Sequence, residues 1–162
     1  MLLVQSSMAC IQDSMLAATS MGLHGGEWRT HASAVDDCEL IIDSMRWLSG
    51  EESEITTHRE KSALGAPMQT ICVKMKAKQS IKSLQRIDDG SLKNLLENGI
   101  SQRIDEHKFL HIRLNLENLV QGEASVINNP EEVVIKGKFK LEVYPGQEAS
   151  LVAEELISRL VG

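Results

Sequence analysis

The sequence predicts an α+β fold, with a mainly antiparallel sheet of about four strands, packed helices and an amphipathic helical N-terminal segment. Segments 69–78 and 108–117 alternate apolar with polar residues, which is the two-residue period of half-buried strands. Segment 133–162 reads as a strand, a tight turn and a closing helix. Helices and strands are therefore both expected, and short turns between the last strands favour antiparallel neighbours.

Length and composition indicate a globular chain of single-domain size. Of its 162 residues 42% are apolar and only 3% are aromatic, so the core is expected to be aliphatic. The net charge of −6 excludes a general polyanion binder. Three cysteines lie far apart without a CxxC pair, which indicates reduced thiols and a cytoplasmic location. No apolar run approaches the roughly 18 residues that a membrane-spanning helix needs.

The chain divides into three parts within one predicted domain: a helical N-terminal segment (1–50), a polar linker or mobile loop (51–67) and an α+β core (68–162). The linker is inferred because EESEITTHREKSALGAP is polar, charged and without a sustained period. The first helix, over 2–21, presents an apolar stripe of Val4, Met8, Ile11 and Met15. This stripe either packs on the chain's own sheet or binds another copy or a second protein, and we assign it to self-association.

Helices and strands then follow in order. The glycine-rich stretch 22–26 is interpreted as a flexible stop after the first helix, and a second helix is expected over 36–49, with acidic residues in its first turn. Strand 69–78 leads to a helix that Ser91 caps, and strand 108–117 follows. A short strand is expected near 125–127. The final strand ends at Tyr144-Pro145-Gly146, and the closing helix uses a stripe from Ala149 to Leu160.

Signatures of catalysis or metal binding are absent, so we predict no enzyme, no catalytic residue, no metal and no cofactor. No nucleophile elbow, phosphate loop or zinc motif occurs. His107 and His111 are four residues apart, but on a strand they stand roughly 13 Å apart and cannot share an ion. His24, His31 and Cys38 form a local cluster that is better explained by loop and packing roles. A small enzyme that joins Cys38 or Cys72 to a distant histidine is a less favoured alternative.

The strongest functional pattern is a row of cations on the polar sides of three predicted strands. If these strands share a sheet, the cations converge on one surface and focus a positive potential there. Routine solvation of a sheet face by lysine is the competing explanation. The basic sheet face consists of Lys74, Lys76, Lys78, Arg113, Lys136, Lys138 and Lys140.

The order of elements resembles that of rhabdovirus matrix proteins. The resemblance lies in MQTICVKMKAKQSIKSL (68–84), in SLKNLLENGI followed by KFLHIRLNL, and in IKGKFKLEVYPGQEASLVAEELI (135–157). It covers roughly residues 68–162 and is one of pattern. The resemblance implies a non-catalytic assembly protein that self-associates and bridges nucleocapsid and envelope.

The functional hypothesis is therefore a structural protein of viral matrix type that acts in virion assembly. Its expected partners are further copies of itself and a nucleoprotein or another acidic protein surface, with peripheral membrane contact and without sequence-specific nucleic acid. Its expected location is the cytoplasm, and the virion if it is viral. The alternative from a different class is an intracellular adaptor or regulator that binds an acidic protein through the lysines.

Overall fold

A computed structural model describes residues 22–127 and 133–161, which form one five-stranded sheet with helices on one side. The strand order is β2-β3-β1-β5-β4, and each neighbouring pair is antiparallel. The predicted α+β class with an antiparallel sheet is thus confirmed. The strands are β1 (Leu23–Ser33), β2 (Glu54–Lys61), β3 (Pro67–Lys76), β4 (Phe109–Asn115) and β5 (Val134–Leu141).

Five α-helices and a short 3-10 turn (Ile100–Arg103) occur in the described part of the chain. The helices are α1 (Cys38–Ser49), α2 (Ala77–Gln85), α3 (Asp89–Glu97), α4 (Leu116–Val120) and α5 (Ala149–Leu160). Asp37, Asp88 and Asn115 cap α1, α3 and α4 by accepting hydrogen bonds from backbone N–H groups of the first turns. None of these helices is long and apolar enough to cross a membrane.

Two strands lie where the sequence predicts none. The central strand β1 begins in the glycine-rich stretch that was interpreted as a helix stop, and β2 occupies the predicted polar linker. Most of β2, which is an edge strand, is exposed on both faces, so its sequence lacks the alternation of a half-buried strand. Gly26 carries no side chain because a Cβ there would collide with the Phe139 ring.

Other predicted boundaries need smaller corrections. The strand predicted over 69–78 ends at Lys76, where α2 begins, and the strand predicted over 108–117 ends at Asn115. In place of a short strand near 125–127, Ala124 and Val126 form single β-bridges. The N-terminal stripe of Val4, Met8, Ile11 and Met15 lies outside the described residues.

The core fills the space between the sheet and the helices. Helix α2 packs across β1, α1 packs against β3, α5 packs against β5, and α3 packs on α5. Trp28 of the central strand is fully buried there, and its Nε1–H donates a hydrogen bond to Ser83 Oγ on α2 at 2.6 Å. The Trp28 ring meets Phe139 edge to face, with centroids 5.1 Å apart. Gly137 leaves the room for this ring, since a Cβ at Gly137 would collide with it.

Candidate functional site

The face of the sheet that is turned away from the core, which we call the outward face, carries no helix in the described part of the chain. It presents most of the predicted cations. The side chains that point outward alternate with core residues such as Ile135 and Phe139 along every strand. On β5, Lys136, Lys138 and Lys140 point outward. Across the sheet, β5 pairs with β4 on one side and with β1 on the other.

The register assembles a basic strip along β5. Lys136 lies between Arg113 of β4 and Arg29 of β1, so three cations form one row across three strands. Lys138 lies between His111 and Glu27, and Lys140 lies beside Phe109. We call the set Arg29, Arg113, Lys136, Lys138 and Lys140 the basic strip. All of its members are exposed except Lys140, which is half-buried.

Six of the seven cations named in the sequence analysis lie on this face. Lys74 and Lys76 are separated from the β5 lysines by β1, where they pair with Glu27 and Gly25. Lys78 lies on helix α2 and not on a strand.

Arg29 belongs to the basic strip but was not predicted as a site residue, because strand β1 was not predicted from the sequence. Alternation of buried Trp28, Thr30 and Ala32 with exposed residues is the signal that could have found it. Arg29 Nη2 lies 3.2 Å from Glu27 Oε2. This ion pair aligns the two side chains along the centre of the face.

Phe109 holds two of the lysine ammonium groups in place. Lys138 Nζ lies 4.3 Å and Lys140 Nζ 4.8 Å from the centroid of its ring, which is the geometry of a cation–π contact. Lys140 Nζ also donates a hydrogen bond to the carbonyl oxygen of His107 at 2.6 Å. Phe109 therefore orders the cations, and its ring face is covered by them.

A turn before β4 presents Phe109 and His111. Asp105 accepts hydrogen bonds from the backbone N–H groups of His107 (2.8 Å) and Phe109 (3.0 Å), and its second oxygen lies 2.8 Å from His111 Nε2. Lys108 in this turn has a φ of 67°. Hydrogen bonding from His111, then from the Phe109 backbone, lowers the pKa of Asp105 from 3.8 to about 2.

The lowered pKa of Asp105 predicts that the difference in stability between the wild type and a variant without this carboxylate depends on pH. Because the pKa of Asp105 is lower in the folded protein, its ionised form stabilises the fold above pH 3.8, and this contribution is lost as the pH falls toward 2. We expect Asp105→Asn to lower the thermal midpoint at pH 6 and to approach the wild type in the acid range. Circular dichroism melts at several pH values measure this. An equal difference between the two proteins at pH 6 and at pH 2 would contradict it.

A cleft of about 340 Å³ opens where the basic strip reaches the sheet edge. It is lined by Asn98, Gly99, Gln102, Arg103, Arg113 and Ile127. Partial burial, then the nearby charge of Arg113, lowers the pKa of the Arg103 guanidinium. The strip thus continues around the β4 edge into a positively charged cleft.

A second concavity, of about 330 Å³, lies on the other half of the face, over β3. We call it the polar groove, and it is lined by Arg29, Glu54, Thr56, His58, Glu60, Thr70, Cys72 and Lys74. The Cys72 Sγ donates toward Glu27 Oε2 at 3.6 Å. Burial, followed by the Glu27 charge, raises the pKa of the Cys72 thiol, so this geometry disfavours a thiolate nucleophile.

Of the two cysteines in the alternative enzyme hypothesis, Cys72 lines the polar groove together with His58, whereas Cys38 is not among the residues of that groove. Cys38 lies at the start of α1, and His31 Nδ1 contacts Thr70 Oγ1 at 3.0 Å. In 22–127 and 133–161, no three His, Cys, Asp or Glu side chains are grouped to hold a metal ion. His107 precedes β4, whereas His111 lies on it.

Comparison with known proteins gives a family match and several structural matches. A family model described as RNA binding matches residues 27–141. No curated protein sequence matches the chain. A DUF54 protein from Methanothermobacter thermautotrophicus has a TM-score of 0.67 at 18% identity, covering 87% of this chain and 99% of its own.

Two further structures share the fold. A DUF54 protein from Archaeoglobus fulgidus has a TM-score of 0.68 at 23% identity, covering 85% of this chain and 99% of its own. A UPF0201 protein from Methanococcus jannaschii has a TM-score of 0.54 at 8% identity, covering 80% of this chain and 90% of its own. At these identities the likeness concerns the fold alone.

These matches overturn the functional hypothesis drawn from the sequence. The resemblance to rhabdovirus matrix proteins was wrong, because the family model that matches residues 27–141 is described as RNA binding, and the solved structures that share the fold are DUF54 and UPF0201 proteins. The expected roles in virion assembly and in bridging nucleocapsid and envelope are therefore also wrong. The alternative hypothesis of an adaptor or regulator has no better support than the matrix-protein hypothesis. The expectation of no sequence-specific nucleic acid is contradicted by the RNA-binding family, and the expected homo-oligomer has no support.

Proposed function

Since the chain belongs to the family whose model is described as RNA binding, we propose that it binds RNA through the outward face of its sheet. The observation that carries the proposal is the convergence of the basic strip on that face in a protein whose net charge is −6. Because the protein is negatively charged overall, it repels a polyanion over most of its surface. A polyanion therefore binds where cations are clustered.

The basic strip suits contact with the sugar-phosphate backbone. Lys136, Lys138 and Lys140 lie on the same side of β5, and alternate residues of a strand are roughly 7 Å apart, so the three side chains leave the strand in a row. Arg113 and Arg29 flank that line, and their guanidinium groups can bind phosphate oxygens in bidentate fashion. An RNA strand that follows β5 would therefore meet cations from three strands.

The role that this geometry supports is binding and not catalysis. The lysines contact an aromatic ring and a backbone carbonyl, and the Cys72 thiol lies beside a carboxylate. None of these contacts activates a nucleophile. We therefore assign the face to RNA recognition.

The test is the salt dependence of RNA affinity, measured by fluorescence anisotropy with a short, labelled single-stranded RNA. If four or five phosphates are neutralised, the logarithm of the binding constant should fall with the logarithm of salt concentration with a slope of about −3. The measurement spans about 50 to 200 mM monovalent salt. Absence of binding, or a slope near zero, would refute the proposal.

A further inference from the structure

The outward face is divided into halves of different charge. The half on β4 and β5 carries four of the five cations of the basic strip, whereas the half on β2 and β3 carries Glu54 and Glu60 together with Lys74 and Lys76. Glu27 lies between the two halves on β1. Carboxylates repel phosphates, so an RNA backbone is favoured on the β4–β5 half, and groups other than phosphate are favoured over the polar groove.

The polar groove contains a hydrogen-bonded chain that fixes the Glu60 carboxylate. Thr70 Oγ1 donates to Glu60 Oε2 at 3.0 Å, and His31 Nδ1 lies 3.0 Å from the same hydroxyl. Because a hydroxyl has one proton and a carboxylate only accepts, His31 Nδ1 must be the donor to Thr70. Thr70 is buried at the base of the groove, whereas Glu60 is exposed. The chain thus holds a solvent-facing acceptor in a defined position.

Glu60 retains the capacity to accept from a ligand. Its other oxygen, Oε1, accepts no hydrogen bond from the residues that the structure describes, and Oε2 keeps a second lone pair. The groove volume of about 330 Å³ is at the lower end of the range of small-ligand sites, roughly 300–1,000 Å³. Such a concavity fits a single planar ring system.

Arg29 connects this groove to the basic strip. Its side chain is 51% exposed, and it lines the groove while it lies in the same row as Lys136 and Arg113. A guanidinium plane is a surface on which an unstacked base can lie. A nucleotide whose phosphate contacts the strip can therefore direct its base past Arg29 into the groove.

We propose that the polar groove binds one nucleobase bearing an amino group, with Glu60 accepting a hydrogen bond from that group. This inference rests on the proposed function and specifies which kind of base the outward face prefers. Carboxylates recognise the exocyclic amine of cytosine in this way. Uracil presents a carbonyl oxygen at the same position, and that oxygen would face the carboxylate without a proton between them.

The experiment compares oligo(C) with oligo(U) of equal length, because these two RNAs differ chiefly at the amino or carbonyl position. We expect the full-length protein to bind oligo(C) roughly tenfold more tightly than oligo(U). Glu60→Gln adds an amide donor that can serve the uracil carbonyl, and it should bring the ratio of the two dissociation constants close to one. The salt slope should be unchanged, because no phosphate contact is removed.

Glu97→Gln is the matched control, since it makes the same charge change at an exposed position on α3, a helix that packs on α5 and not on the sheet. It should keep the wild-type ratio. Equal affinity of the wild type for both RNAs, or an unchanged ratio in Glu60→Gln, would overturn the groove assignment. Salt-dependent binding without base preference refutes the groove alone, whereas the absence of salt-dependent binding to either RNA refutes the proposed function and the groove with it. The wild-type ratio decides the question even if Glu60→Gln does not fold.

Discussion

Replacing Lys136 and Lys138 together by glutamate is expected to lower the affinity for RNA by about 100-fold at a salt concentration near 0.1 M. Each substitution removes a charge-assisted contact with a phosphate and places a carboxylate in its position. Both lysines lie at the centre of the basic strip, flanked by Arg113 and His111 on β4. Anisotropy titrations with the same labelled RNA measure the loss, and the salt slope should become shallower by about 1.4 because two phosphates are no longer neutralised.

The control for this prediction is the double replacement of Lys82 and Lys93 by glutamate. These lysines are exposed on α2 and α3, so the net charge changes equally while the outward sheet face is untouched. We expect the control to bind within a few-fold of the wild type, since distant surface charges are screened. An equal loss in both variants would show that net charge and not the face governs binding. Because Lys138 pairs with Glu27 across the sheet, the glutamine pair provides a milder variant if the glutamate pair unfolds.

Removal of the Trp28 side chain is expected to have the largest effect on stability. We expect Trp28→Ala to lower the free energy of unfolding by about 3–5 kcal/mol, because truncation of a buried aromatic residue leaves a cavity. Trp28 is fully buried, contacts Phe139 edge to face and donates to Ser83 Oγ. A loss of this size is a large part of a total stability of about 5–15 kcal/mol. Urea denaturation followed by far-ultraviolet circular dichroism measures it.

Two variants make this prediction specific. Trp47→Ala removes the same side chain from a position that is 43% exposed, and it should cost about 1 kcal/mol or less. Trp28→Phe keeps an aromatic ring but loses the donor to Ser83, so an intermediate loss is expected. Similar losses in Trp28→Ala and Trp47→Ala would contradict the position of Trp28 at the centre of the core.

The resemblance to matrix proteins failed for a physical reason. Alternating strands followed by amphipathic helices arise whenever helices cover one face of an antiparallel sheet, so this pattern is shared by unrelated α+β proteins. The segments that carried the resemblance include β3 and β5, whose apolar residues Val73, Ile135 and Phe139 serve the core. The periodicity of buried residues indicates only how the core packs, whereas function depends on the surface that the outward residues form together.

Periodicity along the chain was sufficient to predict the strands and helices that bury one face. The strands around Val73, Ile112 and Phe139, and the helix that contains Leu156, were predicted because buried and exposed residues alternate with a regular period there. The cations opposite those core residues were identified by the same period. The sequence alone therefore determined the fold class and most of the outward lysines and arginines.

Only the tertiary structure decided which strands are neighbours. Strand β1 inserts between β3 and β5 through pairings that are distant in sequence, and it contributes Arg29 and Glu27 to the centre of the face. The edge strand β2 supplies Glu60, which meets Thr70 of β3 to form the polar groove. Neither relation leaves a periodic signal, because strand pairing is set by packing and backbone hydrogen bonds across the sheet and not by the order of residues within one strand.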